Sequence, residues 1–262
     1  MSSFSPGASL GPYKVVEPLG AGGMGEVFKA RDTRLDRIVA LKILPQHLSS
    51  SEELRQRFER EARAISKLSH PHVCQLYDIG HESGISYLVM EYLEGETLAQ
   101  RLAKGPIPLA ETLKYGAQIA EALEAAHREG ILHRDMKPGN VVLTKAGAKL
   151  LDFGLAKNAS MAGNAEDLSA SPTLTSPLTT EGTIVGTYQY IAPEVLEGHA
   201  ADKRSDIFGF GAMLYEMITG QKAFHGKTQA SVIAAVLERE PPRASALTPT
   251  TPARLDELVR AC

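Results

Sequence analysis

Up to about residue 90, short apolar segments alternate with turn residues. Segments rich in Val, Ile, Leu and aromatic residues, bounded by Gly, Pro, Asp or charged residues, predict β-strands. Four segments have this composition: 13–19, 25–31, 37–44 and 85–92. One stretch differs, because Ser50 and Glu53 form a capping-box start and residues 52–68 then run without Gly or Pro. That pattern predicts a single helix among the strands.

Beyond Gly95 the apolar positions recur with the period of a helix. Residues 109–130 show this period, and residues 205–220 are apolar on nearly all sides, which predicts a helix buried in a core. Residues 158–182 are rich in Ser, Thr, Pro, Ala and Gly and predict a loop. The expected fold class is α+β, with a small antiparallel β-sheet lobe carrying one helix and a larger, mainly helical lobe.

Composition and charge exclude several functions. The chain has 262 residues, 43% of them hydrophobic, and a net charge of -3, which gives no reason to expect nucleic acid as a partner. The sequence contains neither a signal-peptide pattern nor an apolar run of about 18 residues, so no membrane span is expected within this segment. Two cysteines without a disulfide framework or zinc-type spacing favour a reducing, cytoplasmic location. Any membrane tether is expected beyond residue 262.

The stretch LGAGGMGEVF places Gly20, Gly22 and Gly25 in the pattern G-x-G-x-x-G-x-V. Unrelated enzyme architectures use this pattern to bend the backbone around phosphates, and alone it also fits a plain hairpin. A dinucleotide-binding loop would lead into a helix, whereas EVFKAR reads as a strand, and no Gly-Lys-Ser/Thr of a Walker A loop follows. The loop is therefore expected to join two strands, which disfavours a dehydrogenase-type site.

One lysine and one glutamate stand where apolar residues are expected. In RIVALKIL, alternation places Val39 and Leu41 on one face of the strand and Lys42 on the other. A lysine there either extends its stem to solvent or needs an anionic partner. Glu61 lies on the inward stripe of the predicted helix, so we expect it to pair with Lys42. The full stripe is Leu54, Phe58, Glu61, Ile65 and Leu68.

Two later segments carry residues suited to phosphoryl transfer. ILHRDMKPGNVVL contains Asp135, Lys137 and Asn140 before a strand pair, and AKLLDFGLAK places Asp152 after an apolar strand. An acid that accepts a hydroxyl proton, together with an Asn and an Asp that hold Mg²⁺ against phosphate oxygens, is typical of that chemistry. The segment GTYQYIAPE, which ends at Glu194, follows the polar loop.

Taken in order, these five motifs resemble those of the eukaryotic-like (Hanks-type) protein kinase superfamily. Their residues are most similar to those of bacterial serine/threonine kinases. The resemblance runs from about Tyr13 to the last residue and implies a bilobal kinase fold with its last helices missing. The implied divisions are an N-terminal tail 1–12, an N-lobe 13–90, a hinge 91–95 and a C-lobe 96–262 with an activation segment 152–194.

The resemblance implies that ATP is the cofactor, with Mg²⁺ or alternatively Mn²⁺. The expected ATP-binding residues are Gly20, Gly22, Gly25, Val27, Ala40, Lys42, Glu91, Leu93 and Val142. Glu61 would hold Lys42, Asp135 would be the catalytic base, and Lys137 would steady the transferred phosphoryl group. Asn140 and Asp152 match the metal ligands. His133 would be structural, in an apolar spine with Ile65, Leu76 and Phe153 that Asp206 anchors.

Specificity and regulation are also implied. Lys137 and Thr187 match the family's marks of serine/threonine specificity. Arg134 beside the catalytic aspartate resembles kinases in which an arginine pairs with a phosphate on the activation loop, and Thr183 is the expected site, with Thr179 and Thr180 weaker candidates. The expected partners are proteins with Ser or Thr, and a second copy of the chain for trans-autophosphorylation.

A pseudokinase or nucleotide-binding scaffold is the alternative function. Pseudokinases usually lack the lysine, the catalytic aspartate or the metal aspartate, and here Lys42, Asp135 and Asp152 are all present.

The end of the chain also carries a prediction. Thr251 and Pro252 predict a helix start, with an inward stripe of Leu255, Leu258 and Val259 that reaches Cys262 without a stop signal. The family pairs the equivalent of Glu194 with an arginine from later helices, so the sequence predicts that this carboxylate lacks a partner and that the large lobe is weakened.

Overall fold

The structure is a computed structural model that describes residues 4–22, 25–45, 52–153 and 188–262. These residues fall into two compact units, the first reaching to Glu94 and the second beginning at Gly95. The first unit is a sheet with one helix and the second is mainly helical, so the predicted α+β class is confirmed. The serines and threonines of the predicted loop at 158–182 lie outside the described residues.

The first unit contains a six-stranded sheet in which every neighbouring pair is antiparallel, in the order β1-β2-β3-β4-β6-β5. The strands are β1 Ser9–Leu10, β2 Tyr13–Gly22, β3 Gly25–Asp32, β4 Arg37–Ile43, β5 Leu76–Glu82 and β6 Ile85–Glu91. All four predicted strands are present. The sequence did not predict β1 or β5, both of which are edge strands.

Two apolar clusters stabilise this unit, one of them against the helix α1, Glu52–Ser66. Val39, Leu41 and Ile43 of β4 lie in the first cluster, as the alternation predicted. Phe58 and Ala62 of α1 pack in the second. The other buried members of that second cluster are Leu44, Leu76 and Leu88. The predicted inward face of α1 is thus confirmed where its side chains are described; Ser50 and the Glu53 and Leu54 side chains lie outside that part.

The second unit combines a small antiparallel sheet with helices. Its strands are β7 Gly95–Thr97, β8 Val141–Thr144 and β9 Gly147–Leu150, in the order β7-β8-β9. Its helices are α2 Leu98–Leu102, α3 Leu109–Arg128, α4 Pro193–Leu196, α5 Lys203–Thr219, α6 Gln229–Glu238, α7 Ala244–Leu247 and α8 Ala253–Ala261, with 3-10 turns at Pro138–Asn140 and Tyr188–Tyr190. Across the described segments, no helix combines the length and apolar character needed to cross a bilayer.

Helix α5 is the centre of the second unit. Asp202 caps its first turn in a capping box with Ser205, and Gly220 ends it in the left-handed conformation at φ 69°. Every residue from Gly209 to Ile218 is buried, so the prediction of a helix surrounded by core is confirmed. A helix buried on all sides can position loops on more than one of its faces.

The last helix, α8, corrects two predictions. Leu258 is 47% exposed, whereas Asp256 is only 3% exposed. The hydroxyl of Ser245 donates to Asp256 Oδ2 at 2.6 Å, and this hydrogen bond lowers the pKa of the Asp256 carboxyl. A charged residue therefore takes the inward position because a tertiary donor satisfies it. The helix begins after Pro252, which makes no side-chain cap, and not at Thr251.

Glu194 also differs from expectation. Its side chain is half-buried, and Ser205 donates its hydroxyl to Glu194 Oε1 at 2.6 Å. The prediction that this carboxylate has no partner is wrong, because the first turn of α5 supplies a donor that the sequence pattern did not reveal.

Candidate active site

The glycine segment lies at the tip of the hairpin formed by β2 and β3. Gly22 is opposite Gly25 in the register of the two strands, which confirms that the loop joins two strands. Gly25 has φ 110°, and a Cβ atom there would lie 1.9 Å from the carbonyl oxygen of Ile43. Glycine is therefore required at Gly25 by conformation and by space. Around Gly20 a Cβ atom would meet nothing within 4 Å, so that part of the hairpin has open space beside it.

Lys42 lies in the middle of the sheet. On β4 it is opposite Val27 of β3 and Leu88 of β6, and it is 6% exposed. Lys42 is thus a charged residue at a buried position, where apolar residues are the norm. Glu61 is half-buried on α1, next to the buried Ala62. Both residues occupy the inward positions that the sequence predicted, and the ion pair between them remains a prediction.

The residues expected to contact adenine are distributed over both units. Ala40 on β4 and Val142 on β8 are each 8% exposed, and Val27 and Leu93 are half-buried. Glu91 ends β6, where its N–H donates to Gln75 O at 2.9 Å and its carbonyl accepts the Cys74 thiol at 3.6 Å.

Asp135, Lys137 and Asn140 converge in the second unit. The Asn140 Nδ2 group donates to both the carbonyl and the Oδ2 atom of Asp135, each at 2.8 Å, and Lys137 Nζ lies 2.7 Å from the same Oδ2. The side chain of Asp135 is 3% exposed and that of Lys137 is 26% exposed. The arrangement is a buried carboxylate with one oxygen fixed by two donors, beside a cation that reaches solvent.

Asn140 and Asp152 are brought to the same end of the β8–β9 hairpin. The register pairs Val141 with Leu150, and the N–H of Leu151 donates to Asn140 O at 2.8 Å. Because Asn140 uses its amide nitrogen on Asp135, its amide oxygen is the atom suited to a cation. Asp152, at φ 49°, adds a carboxylate. An amide oxygen and a carboxylate fit Mg²⁺ bound jointly with phosphate oxygens. The described segments contain no cluster of three or more His, Cys, Asp or Glu residues that could hold a metal.

His133 is fully buried, and both of its ring nitrogens have hydrogen-bond partners. Nε2 lies 2.8 Å from Leu151 O, and Nδ1 accepts the N–H of Asp135 at 3.3 Å. The neutral tautomer with hydrogen on Nε2 satisfies both contacts, and burial lowers the pKa of the ring, which favours that neutral form. Its ring packs on Phe153 with centroids 4.9 Å apart. This geometry supports a structural role for His133.

Asp206, on the first turn of α5, holds the backbone just before Asp135. Its Oδ2 accepts the N–H of His133 at 2.8 Å and its Oδ1 accepts the N–H of Arg134 at 2.7 Å. Arg134 has φ 60°, a left-handed conformation that is strained for a non-glycine residue. The buried carboxylate therefore fixes a strained turn whose next residue is the expected base.

The same helix positions the turn at Tyr188–Tyr190. Tyr190 donates its hydroxyl to Glu216 Oε2, and both side chains are 8% exposed. Burial raises the pKa of the Glu216 carboxyl, an effect that the Tyr190 hydroxyl and the Lys222 charge partly offset. At Gly209 a Cβ atom would lie 2.7 Å from Met136 Cβ and 3.0 Å from Tyr190 O. Glycine at this position lets α5 contact the segment around Asp135 and the tyrosine turn together.

Replacing Tyr190 with Phe should remove the donor to Glu216 and destabilise the fold by about 1–3 kcal/mol, because the buried carboxylate loses its hydrogen bond. The pKa of Glu216 is raised in the folded state. Above that pKa the carboxyl is ionised, and losing the Tyr190 hydrogen bond destabilises the fold to the full extent. Below that pKa the carboxyl is protonated, and the destabilisation disappears. The loss of melting temperature should therefore be larger at about pH 8 than at about pH 5. Thermal melts at both values measure this.

The matched control for this change is Tyr77→Phe, because Tyr77 is 39% exposed on β5. We expect its melting temperature to change little at either pH. A Tyr190→Phe loss that grows as the pH falls would contradict the assignment of Glu216 as the affected group.

Sequence reasoning missed several contributors to the site. Gly209 and Glu216 lie on α5, Tyr190 contacts that helix, and His127 Nε2 lies 2.8 Å from Oδ2 of Asp206 on the same helix. None of these residues belongs to a local pattern that indicates chemistry. The tyrosine repeat in GTYQY and the glycine pair in FGFG were the available signals. Two of the predicted regulatory residues, Thr183 and Thr187, lie outside the described residues.

The comparisons with known proteins agree with this geometry. The family model for the protein kinase domain matches residues 13–259. The serine/threonine-protein kinase PrkC of Bacillus subtilis is 36% identical over 251 residues, which are 95% of this chain and 37% of PrkC. The serine/threonine-protein kinase PknD of Mycobacterium tuberculosis is 38% identical over 256 residues, which are 97% of this chain and 36% of PknD. The chain thus spans little more than a third of the length of these relatives.

The comparison with solved structures also identifies a protein kinase domain. The kinase domain of PknI from Mycobacterium tuberculosis covers 98% of this chain with 90% of its own, at a TM-score of 0.73 and 29% sequence identity. The chain belongs to the protein kinase domain family. Within that family it is a Hanks-type kinase domain, most similar to bacterial serine/threonine protein kinases.

Proposed function

We propose that this chain transfers the γ-phosphoryl group of ATP to serine and threonine hydroxyls of proteins. The observation that carries the proposal is the fixed carboxylate of Asp135, with Oδ2 held at 2.8 Å by the Asn140 amide and at 2.7 Å by the Lys137 ammonium. We propose that the carboxylate fixed in this way accepts the hydrogen of a substrate hydroxyl. An aspartate in this role orients the nucleophile and accepts its proton.

Lys137 has a second part in the proposal. Its side chain is 26% exposed, so the ammonium can contact both Asp135 and a phosphoryl group next to it. A cation beside the transferring group stabilises the negative charge spread over its oxygens. Serine and threonine hydroxyls are the proposed acceptors because Lys137 stands two residues after the catalytic aspartate in HRDMKPGN, the family's serine/threonine pattern.

Asn140 and Asp152 are the proposed ligands of Mg²⁺, for which Mn²⁺ could substitute. When bound, the cation would neutralise phosphate charge and link the nucleotide to these two side chains. In the first unit, Lys42 is proposed to hold the α- and β-phosphates and the glycine hairpin to cover them with its backbone N–H groups. Glu91 and Leu93 are proposed to pair with the adenine edge, and Val27, Ala40 and Val142 to contact its faces.

Several finer assignments are proposals as well. We assign the lobes to residues 13–90 and 96–262, with a hinge at 91–95, which agrees with the division of the chain near Glu94. We propose that Arg134, which is half-buried beside the base, pairs with a phosphate on Thr183, and that a second copy of the chain transfers this phosphoryl group from ATP. A cytoplasmic location is proposed from the absence of disulfide bonds at Cys74 and Cys262.

The direct test of the proposed function is incubation of the chain with labelled ATP, Mg²⁺ and a Ser/Thr-containing protein such as casein, followed by mapping of the phosphorylated residues. Phosphoserine or phosphothreonine supports the proposal. Nucleotide binding without any transfer would favour the pseudokinase alternative, and phosphotyrosine as the main product would contradict the serine/threonine assignment.

Lys42 and Glu61 are expected to act as one unit. Lys42→Met and Glu61→Gln should each lower turnover, and the double variant should be little worse than the worse single variant, since both changes break the same ion pair. Steady-state kinetics of the four proteins measure the coupling. Glu59 and Arg63 form an exposed pair at 3.3 Å on the same helix, so Glu59→Gln and Arg63→Met provide the matched control and should barely alter turnover. Fully additive losses at Lys42 and Glu61 would exclude the pair.

A further inference from the structure

The first described residues, part of the expected N-terminal tail, lie on the sheet of the first unit. The N–H of Gly7 donates to Val15 O at 2.9 Å, and the N–H of Val15 donates to Ala8 O at 2.8 Å. Strand β1 then pairs with β2, and its Leu10 is 4% exposed within the first apolar cluster. Residues 4–10 are therefore fixed along the edge of β2, the first strand of the glycine hairpin.

Phe4 connects this segment to the second strand of the hairpin. Its side chain is half-buried against the first apolar cluster. Its ring meets the Phe28 ring edge-on, with centroids 6.1 Å apart and planes at 76°, which is a favourable geometry for an aromatic pair. Phe28 lies on β3, shortly after Gly25, and is 0% exposed. A ring from the start of the chain thus packs on a fully buried residue of the hairpin.

Phe28 faces away from the residues that are proposed to contact ATP. Successive side chains of a strand point to opposite faces of the sheet, so Phe28 and Val27 lie on opposite faces of β3. Val27 is opposite Gly20 on β2 and Lys42 on β4. Phe4 and Phe28 therefore support, from the other face, the part of the hairpin that is proposed to cover the nucleotide.

The backbone by itself holds this part of the hairpin weakly. Phe28 is opposite Pro18 on β2, and proline has no N–H to donate to the neighbouring strand. The register of the two strands also shifts between Pro18 and Gly20, and such an irregularity leaves a residue unpaired in the ladder. Side-chain packing on Phe28 therefore contributes more to the position of the hairpin here than it would in a regular pair of strands.

We infer that Phe4 is a positioning residue for ATP binding, acting through Phe28 to keep the glycine hairpin in its nucleotide-binding position. The inference rests on the proposed function, in which this hairpin covers the phosphates of ATP. If only a fraction of the molecules has the hairpin in place, the apparent Kd for ATP rises by the inverse of that fraction. Bound ATP then holds the hairpin itself, so the turnover of the complex is unaffected. In the competing explanation, Phe4 contributes only to the stability of the unit.

Substitutions of Phe4 in the full chain test the inference. Phe4→Ala should raise the Kd for ATP, measured by calorimetric titration in the presence of Mg²⁺, by about three- to tenfold, the contribution of one aromatic pair. Its kcat should be unchanged, as expected when only binding is lost. Phe4→Leu keeps an apolar side chain over Phe28 and should recover most of the affinity. Hydrogen exchange of the Glu26 and Val27 amides without nucleotide should be faster in Phe4→Ala than in the wild type.

Ile85→Ala is the matched control. Ile85 is also half-buried against the first apolar cluster, but it begins β6, which β4 separates from the hairpin strands. This variant should lower the melting temperature as Phe4→Ala does, and it should leave the Kd for ATP and the exchange of the hairpin amides at their wild-type values.

Two results would overturn the inference. One is a Phe4→Ala protein with the wild-type Kd for ATP and wild-type exchange in the hairpin. The other is an equal rise of the Kd in Phe4→Ala and Ile85→Ala, which would show that loss of stability alone weakens binding. A wild-type chain that binds ATP yet transfers no phosphoryl group would instead contradict the proposed function, and the Kd values would still decide the role of Phe4.

Discussion

Asp135→Asn is expected to reduce phosphoryl transfer by about a hundred- to ten-thousandfold, the range typical of a lost general base, while ATP binding stays close to wild type. The amide cannot accept the hydroxyl proton, although its size and its contacts with Asn140 and Lys137 are similar. The nucleotide contacts are proposed to come from other residues, Lys42 and the glycine hairpin among them. Calorimetric titration with ATP, set beside turnover on a protein substrate, measures both quantities.

Asp202→Asn is the matched control for this prediction. Asp202 caps α5 in the same unit, and asparagine is an equally good N-cap, so turnover and stability should both be retained. Near-normal turnover in Asp135→Asn would remove Asp135 from the role of base. A parallel collapse of ATP affinity would show that the carboxylate serves nucleotide binding as well.

Asp152→Asn should reduce phosphoryl transfer by a factor similar to that expected for Asp135→Asn, because Asp152 is a proposed ligand of the metal. Asparagine tolerates the left-handed conformation that Asp152 adopts at φ 49°, so the change removes charge without straining the backbone. A lost metal carboxylate removes several kcal/mol of charge stabilisation, and about 4 kcal/mol corresponds to roughly a thousandfold in rate. The variant should also need more Mg²⁺ to reach half of its own maximal turnover, and Mg²⁺ should strengthen its ATP binding less than in the wild type.

Asp36 provides the control, because it is an exposed aspartate with φ 51° in the turn between β3 and β4. Asp36→Asn should leave the Mg²⁺ dependence unchanged. An Asp152→Asn protein with wild-type turnover and an unchanged response to Mg²⁺ would show that the metal is held elsewhere.

Strand prediction succeeded where one face of a strand enters a single apolar cluster, and it failed at the sheet edge. β4 was recognised because Val39, Leu41 and Ile43 enter one apolar cluster, which produces the period-two pattern. β5 was missed because it pairs only with β6 and exposes most of its residues, including Tyr77. Polar residues are tolerated at such an edge, so no alternation is left in the sequence to detect.

The end of the chain shows a different limit. Helical spacing placed Leu258 inward, but the structure turns Asp256 inward and leaves Leu258 exposed. The helix itself was predicted correctly, since periodicity identifies a helix well. Which side faces the core depended on Ser245, whose hydroxyl makes a buried carboxylate acceptable. The partner of Glu194 was missed for the same reason, because Ser205 is a donor only through its place on α5.

By itself the sequence determined the class of fold, the glycine hairpin, and the identities of the lysine, aspartates and asparagine proposed for catalysis. These features depend on residue type and on local spacing, which persist in any conformation of the chain. Tertiary structure alone decided which contacts position these residues. They are the contacts of His127, His133 and Arg134 with Asp206, the tyrosine hydroxyl on Glu216, and the hairpin register that places Asn140 beside the segment of Asp152. The physical reason is that a buried polar group needs a partner within hydrogen-bond distance, and residues as far apart as His127 and Asp206 meet only when the fold brings them together.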